Sequence, residues 1–214
     1  MTNVSQNERK IHIRNQLQQA AVHALEQDGW SVERMSGTGK SSLRRITKND
    51  QSKVVSIRTT QDQWIAFPRV NERDEFGTLP DVDAVVASSV DDPHEPKNAL
   101  VHLLDGDEMR DRFARAVKAR KDAGNVLPLG RGVWISLYDR EQPEPTNRVG
   151  AGAGRQTPPI ARLPLEKLGG NGMAQKVCVD EQEEIGHLTI PEAKRLLAES
   201  FGVDPSNIRI TIEG

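Results

Sequence analysis

Near the start of the chain, apolar residues recur at helical spacing, at Ile13, Leu17, Ala20, Ala21, Ala24 and Leu25, and Gly29 follows as a stop. The spacing predicts one amphipathic helix over about residues 8 to 28. The pattern then shortens to stretches rich in β-branched and aromatic residues, WSVERM, SLRRITK, KVVSIRT and QWIAFP. The intervening NDQS is turn chemistry, so SLRRITK and KVVSIRT read as a hairpin with another strand after it. DVDAVVASSV and NALVHLL predict two further strands on either side of the polar DDPHEP. In DEMRDRFARAVKARKDAG, Asp107, Glu108 and Asp111 fall in the first turns of a helix and Lys118, Arg120 and Lys121 in its last. That order suits the helix dipole, and Gly124 closes the helix. GVWISLY supplies one more strand. Residues 1–140 are therefore expected to form an α/β (α+β) domain, a central mixed sheet flanked by helices.

From Glu141 the periodicity lapses. EQPEPTNRVGAGAGRQTPPIARLPLEKLGGNG carries proline and glycine without a sustained repeat, so residues 141–172 read as a flexible or extended linker. Within it PPIARLPL has the composition of an extended apolar segment able to dock. Residues 173–214 read as a small C-terminal strand-helix-strand module. There Thr189 and Glu192 form a capping box around Pro191, and Ala193, Leu196, Leu197 and Phe201 make the apolar stripe. Gly202 ends that helix, and Ile208, Ile210 and Ile212 alternate along a last strand.

A length of 214 residues suits one to two domains with a core of ordinary size. Cys178 is the one cysteine, which excludes an intrachain disulfide framework and a cysteine-based zinc site and points to a reducing, cytoplasmic location. The opening MTNVSQNERKIHIRNQ has no apolar core of signal-peptide length, and no run approaches the roughly 18 apolar residues of a membrane span. No membrane partner is expected.

The net charge of −2 conceals a segregation. Arg34, Lys40, Arg44, Arg45, Lys48, Lys53 and Arg58 face a single acid, Asp50, over residues 34–58, a net charge of +6. Residues 72–95 hold eight acids and one base, Arg73, a net charge of −7. A cationic block of this kind is a footprint for a polyanion, or it pairs with the acidic block across the fold. The tail, with four bases and eight acids after Gln175, is not suited to nucleic acid and fits a protein partner better.

RMSGTGKSSLRRI resembles a phosphate-binding loop at Gly39 and Lys40, but that loop needs a glycine five residues before the Gly-Lys pair, where Arg34 stands. It also needs an exiting helix, and a hairpin is predicted instead. SGTGKSS thus reads as a polar connection whose N–H groups, hydroxyls and Lys40 form at most a simple anion site. The histidines His12, His23, His94, His102 and His187 show no metal-ligand spacing, and neither GKSSL nor VASSVDD has the glycines of a serine-nucleophile elbow. Asp81, Asp83, Asp91 and Asp92 have the oxygen chemistry of magnesium ligands, though strand ends and turns use the same residues. No cofactor and no metal site is expected.

The order of helix, then DGWSVERMSGTGKSSLRRITKNDQSKVVSIRTTQDQWIAF, then a later strand and helix resembles the core of restriction-endonuclease-like proteins, the PD-(D/E)XK group. Gly29, Trp30 and Val32 match the entry, SGTGKSS takes the turn and VSIRT the strand, over roughly residues 12 to 67. Where the family's turn carries an aspartate this chain has Ser41 or Ser42, and the acid-x-lysine pair reads Ser56, Ile57, Arg58. Phosphodiester hydrolysis needs carboxylates to hold magnesium and activate water. The resemblance therefore implies a nuclease-like domain that binds without cutting, with Lys40, Arg44, Arg45, Lys48, Lys53 and Arg58 as contacts to a DNA duplex. Two other readings stay open. One is an interaction or regulatory protein whose charged blocks pair with each other, and the other a divergent magnesium-dependent nuclease using the acids of PDVDAVV.

Overall fold

The computed structural model describes residues 7–35 and 42–168. The chain divides into two units, Met1–Asp180 and Glu181–Gly214, and every described residue lies in the first. The predicted C-terminal module, 173–214, lies outside the described residues, as does Lys40 with most of SGTGKSS.

The amphipathic pattern at the N-terminus forms α1 (Glu8–Gln27), capped by Asn7, whose side chain accepts the Lys10 N–H. Leu17, Ala20, Ala21, Ala24 and Leu25 are buried in it. Then come β1 (Ser31–Arg34), β2 (Leu43–Lys48) and β3 (Gln51–Thr60), an antiparallel meander. Lys48 pairs with Gln51, which leaves a two-residue loop; its members, Asn49 and Asp50, both have positive φ, 47° and 62°. This is the hairpin turn whose twist matches the strands, and Asn and Asp tolerate that conformation best after glycine.

β4 (Trp64–Pro68) leaves the sheet, and β5 (Ala84–Val90) returns to lie parallel to β3. β6 (Asn98–Asp105) pairs antiparallel with β5 and leads directly into α2 (Gly106–Asp122), whose N-cap Asp105 accepts the Glu108 N–H at 3.0 Å. β7 (Gly132–Ser136) pairs with β4 as a separate two-stranded sheet. The main sheet has six strands in the order β1-β2-β3-β5-β6-β8, where β8 is Ala161–Pro164. It is mixed and flanked by helices, so the expected α/β class holds.

Every residue of β5 is buried, because both faces of the sheet are covered there. On one face Leu17, Leu25 and Trp30 pack with Ile46, Val55, Ile57, Val86 and Val101 beneath α1. On the other, Phe113 and Met109 of α2 meet Phe67, Ile65 and Ile135 of the small sheet over Val85 and Leu104. Phe113 sits edge-on to Phe67 at 5.2 Å, a preferred aromatic geometry.

The predicted linker is ordered over residues 141–168, where PPIARLPL docks as the extended apolar segment expected of it and the part before it is corrected. This stretch wraps the domain: a short helix α3 (Ala153–Gln156) is followed by β8, which pairs with β6 and forms one edge of the sheet. Arg112, 2% exposed, explains the anchoring. Its guanidinium donates to the carbonyls of Gly150 (3.2 Å) and Ala151 (2.5 Å), to the Gln156 side chain and to Glu108 of its own helix. Gly150 is needed both for its left-handed φ and for close contact, and Gly154 for contact. A Cβ on Gly150 (φ 82°) would lie 2.5 Å from the Arg112 carbonyl oxygen, and one on Gly154 would lie 2.8 Å from the Tyr138 ring.

Candidate functional site

Alternation along paired strands sorts the cationic block onto two faces of the sheet. Arg44 lies between Leu43 and Arg45, so it points with Ile46 and Lys48 toward the α1 side, whereas Arg45 points with Leu43 to the α2 side. On β3, Lys53 shares the α1 side with Val55 and Ile57, while Arg58 falls on the other side. Arg34 is directly opposite Arg44 in the β1–β2 register and joins the α1 side. The same face of three neighbouring strands thus carries Arg34, Arg44, Lys48 and Lys53.

The two lysines flank Trp30. Their ammonium groups stand 5.7 Å (Lys48) and 5.9 Å (Lys53) from the indole centroid, within the range of cation–π attraction. Trp30 is 8% exposed and its indole N–H donates to Asp28. The ring is therefore a floor under the lysines and leaves no open face on which a base could stack. Lys48 also donates to the Asp28 backbone carbonyl and pairs with its carboxylate at 3.4 Å, which neutralises the C-terminal end of α1. At the other end of the same face, burial pushes the Arg44 pKa below its ordinary value, and the Arg34 charge pushes it further the same way. Bringing anionic oxygens between two such groups relieves repulsion, which is the electrostatics of a phosphate site.

The remaining predicted contacts are placed differently. Arg45 is exposed on the opposite face. Arg58 is turned inward: it donates to the Thr78 hydroxyl at 2.8 Å and lies 4.3 Å from the Phe67 centroid, in the layer that joins the two sheets. Sequence reading counted Arg34 in the cationic block without naming it as a contact, and did not place Trp30 beneath the lysines. The period-two parity of the meander was the signal that separates Arg45 and Arg58 from the rest, and the β1–β2 register adds Arg34.

The acidic stretch has its own partners. Asp74 pairs with Arg69 and Lys121, Glu72 with Arg69, Glu95 with Lys97 and Asp91 with Arg162, all bases outside residues 34–58. Asp83 accepts the Val54 N–H at 2.7 Å and so ties the start of β5 to β3. Among the described residues no group of three or more His, Cys, Asp or Glu is arranged to hold a metal ion. In the positions that resemble the nuclease motif, Ser56 is fully buried and its hydroxyl donates to Ser42 at 3.3 Å.

A buried polar chain lies on the α2 side of β5 and β6. The Nδ1–H of His102 donates to the Thr157 carbonyl (2.8 Å), which fixes the tautomer, so Nε2 accepts from the Tyr138 hydroxyl (2.9 Å) and that oxygen accepts from Ser89 (2.6 Å). Burial lowers the His102 pKa more than the Thr157 carbonyl raises it. Ser89 is fully buried, and the chain clasps the segment after α3 to the sheet.

The class defined here is an α/β protein with a six-stranded mixed sheet and a cationic face at one edge. In comparison with known proteins, the chain matches no family model, no curated protein and no solved structure. Among the described residues no helix is long and apolar enough to cross a membrane.

Proposed function

We propose that this chain binds nucleic acid, duplex DNA foremost, by phosphate contacts from the α1-side face of β1, β2 and β3, and that it binds without cutting. The observation that carries this reading is the arrangement of Arg34 directly across from Arg44, on one face with Lys48 and Lys53. Four cations on three adjacent strands match a backbone of regularly spaced charges, and a buried Trp30 suits backbone contact over base stacking. Of the acidic block, Asp74 is paired with Arg69 and Lys121, Glu95 with Lys97 and Asp91 with Arg162, bases outside residues 34–58. The resemblance to restriction-endonuclease-like proteins points the same way, and serine at position 56, where that family carries an acid, supports binding without cleavage.

The test is fluorescence anisotropy of a labelled 20-bp duplex of random sequence. Replacing Arg34 and Arg44 together by glutamine weakens binding at least tenfold at low salt, while replacing Arg73 and Arg131 does not. Equal affinities of the two variants would remove the proposed face from consideration.

A second reading, a protein-binding role, is favoured by the clustering of the exposed large apolar side chains. Val70, Val126 and Leu129 are 50%, 87% and 47% exposed. They lie beside one junction, where Gly130 and Arg131 hydrogen-bond the Arg69 backbone. Crosslinking of the intact chain in cell extract, with and without Val126→Asp, tests it; an unchanged pattern counts against it.

A further inference from the structure

Lys48 and Lys53 share one indole but differ in what else holds them. Lys48 is clasped at the end of α1: its ammonium donates to the Asp28 carbonyl and pairs with the Asp28 carboxylate at 3.4 Å. Its stem crosses Gly29, where an added Cβ would lie 3.5 Å from Cε and 3.8 Å from Nζ. The carboxylate oxygen that faces Lys48 also accepts the Trp30 indole N–H at 3.0 Å, which keeps it beside the lysine. Three consecutive residues, Asp28, Gly29 and Trp30, thus form a seat for one ammonium group.

Lys53 stands 5.9 Å from the same ring and makes no hydrogen bond or ion pair among the described residues. Across the hairpin it is opposite Ile46, which offers no counter-charge. The two cations therefore differ in what a phosphate must displace. At Lys53 it displaces water and counterions, whereas at Lys48 it must also take the place of a carboxylate. The Lys48 and Asp28 side chains are 34% and 43% exposed. A solvent-screened pair of that kind is worth about two- to fivefold in an equilibrium, enough to rank two otherwise equal contacts and little enough for a phosphate to reverse.

We propose that Asp28 is an internal competitor for phosphate at Lys48, so that Lys53 contacts the ligand outright and Lys48 joins by exchanging the Asp28 carboxylate for it. This rests on the nucleic-acid reading above and adds regulation of the same site: Asp28 sets how tightly the cationic face holds its ligand. Asp28 keeps the indole N–H through the exchange, so Trp30 stays in place beneath both lysines.

The experiment titrates the same labelled duplex by anisotropy at about 50 mM salt, where phosphate contacts are strong. Lys48→Gln and Lys53→Gln are each placed in the unaltered full chain, in Asp28→Asn and in Asp50→Asn. Asparagine at 28 keeps an acceptor for the indole N–H, and asparagine at 50 tolerates the left-handed turn while removing an equal charge from the hairpin that carries both lysines. The expected result is that Asp28→Asn alone tightens binding about two- to fivefold, and that Lys48→Gln costs less than Lys53→Gln by about that factor in the unaltered chain. The two costs become equal once Asp28 is replaced, and they stay apart in Asp50→Asn. A Lys48→Gln cost that is the same with and without the Asp28 carboxylate, or that rises equally in Asp50→Asn, overturns the competition and leaves the sheet-face reading standing. No binding by the unaltered chain at this salt overturns both. Urea midpoints on each variant separate a loss of contact from a loss of fold, and the tighter binding expected of Asp28→Asn cannot come from a loss of fold.

Discussion

Arg112→Met is the perturbation that most sharply separates a wrapped segment from a linker. Methionine keeps the unbranched stem in the space where Arg112 is 2% exposed, but it cannot donate to the Gly150 and Ala151 carbonyls. Both residues are buried, and a buried acceptor left without a partner costs about 1–3 kcal/mol. Two such carbonyls give about 2–6 kcal/mol, and loss of the bonds to Glu108 and Gln156 adds to it. The Glu108 carboxylate, 37% exposed, regains water and offsets little of the total. The assay is urea unfolding followed by circular dichroism, with limited proteolysis in native buffer. The variant should lose at least 2 kcal/mol, and new cleavage should appear between residues 141 and 160 below the unfolding midpoint. A cost under about 0.5 kcal/mol, the level of an ordinary surface substitution, together with an unchanged digest would refute the claim that Arg112 holds this segment.

Other outcomes follow from the same contacts. Gly150→Ala places a Cβ 2.5 Å from the Arg112 carbonyl oxygen at a φ of 82°, so it should destabilise by more than about 1 kcal/mol in the same urea assay. Ser88 has a buried hydroxyl without a hydrogen-bond partner, so Ser88→Ala should be neutral or raise the urea midpoint; a clear drop would reveal a partner for it. His102 has a folded pKa below its unfolded value of about 6.5, so the unfolded chain binds the proton first, and the histidine's contribution, full above that pH, is lost as pH falls toward the folded pKa. Urea midpoints should therefore fall between pH 7 and 5, and His102→Gln should flatten that slope; an identical slope in the variant would contradict the assignment. At Asp91 burial alone would raise the pKa, but hydrogen bonds from the Asn98 side chain and from the N–H groups of Asn98, Lys97 and Asp92 outweigh it, so its contribution disappears only below about pH 4.

The elements were legible because each obeyed its own period. The apolar spacing from Ile13 to Leu25 and the capped charge order of 107–121 have one helical reading, and the run in β5 had no room for a helix between its turns. Apart from the apolar PPIARLPL, the stretch 141–168 was not legible, because composition cannot tell a glycine chosen for freedom from one chosen for close approach. Gly154 is of the second kind, pressed against Tyr138, Gly150 is of both, with a φ of 82° and the Arg112 carbonyl against it, and an arginine in the middle of a charged helix gives no sign that it will be buried. At the candidate site the block of positive charge was visible and its division was not used. Arg45 and Arg58 leave the cationic face by strand parity alone, and Arg34 enters it only once the register across β1 and β2 is known.

The most direct test of the central claim is the salt dependence of duplex binding by the unaltered chain. Four phosphate contacts predict that affinity falls roughly 150-fold between about 50 and 200 mM salt, on the linear relation between log affinity and log salt. An affinity that is undetectable at about 50 mM, or one that changes less than about threefold over this range, would contradict a nucleic-acid role for the face that carries Arg34, Arg44, Lys48 and Lys53.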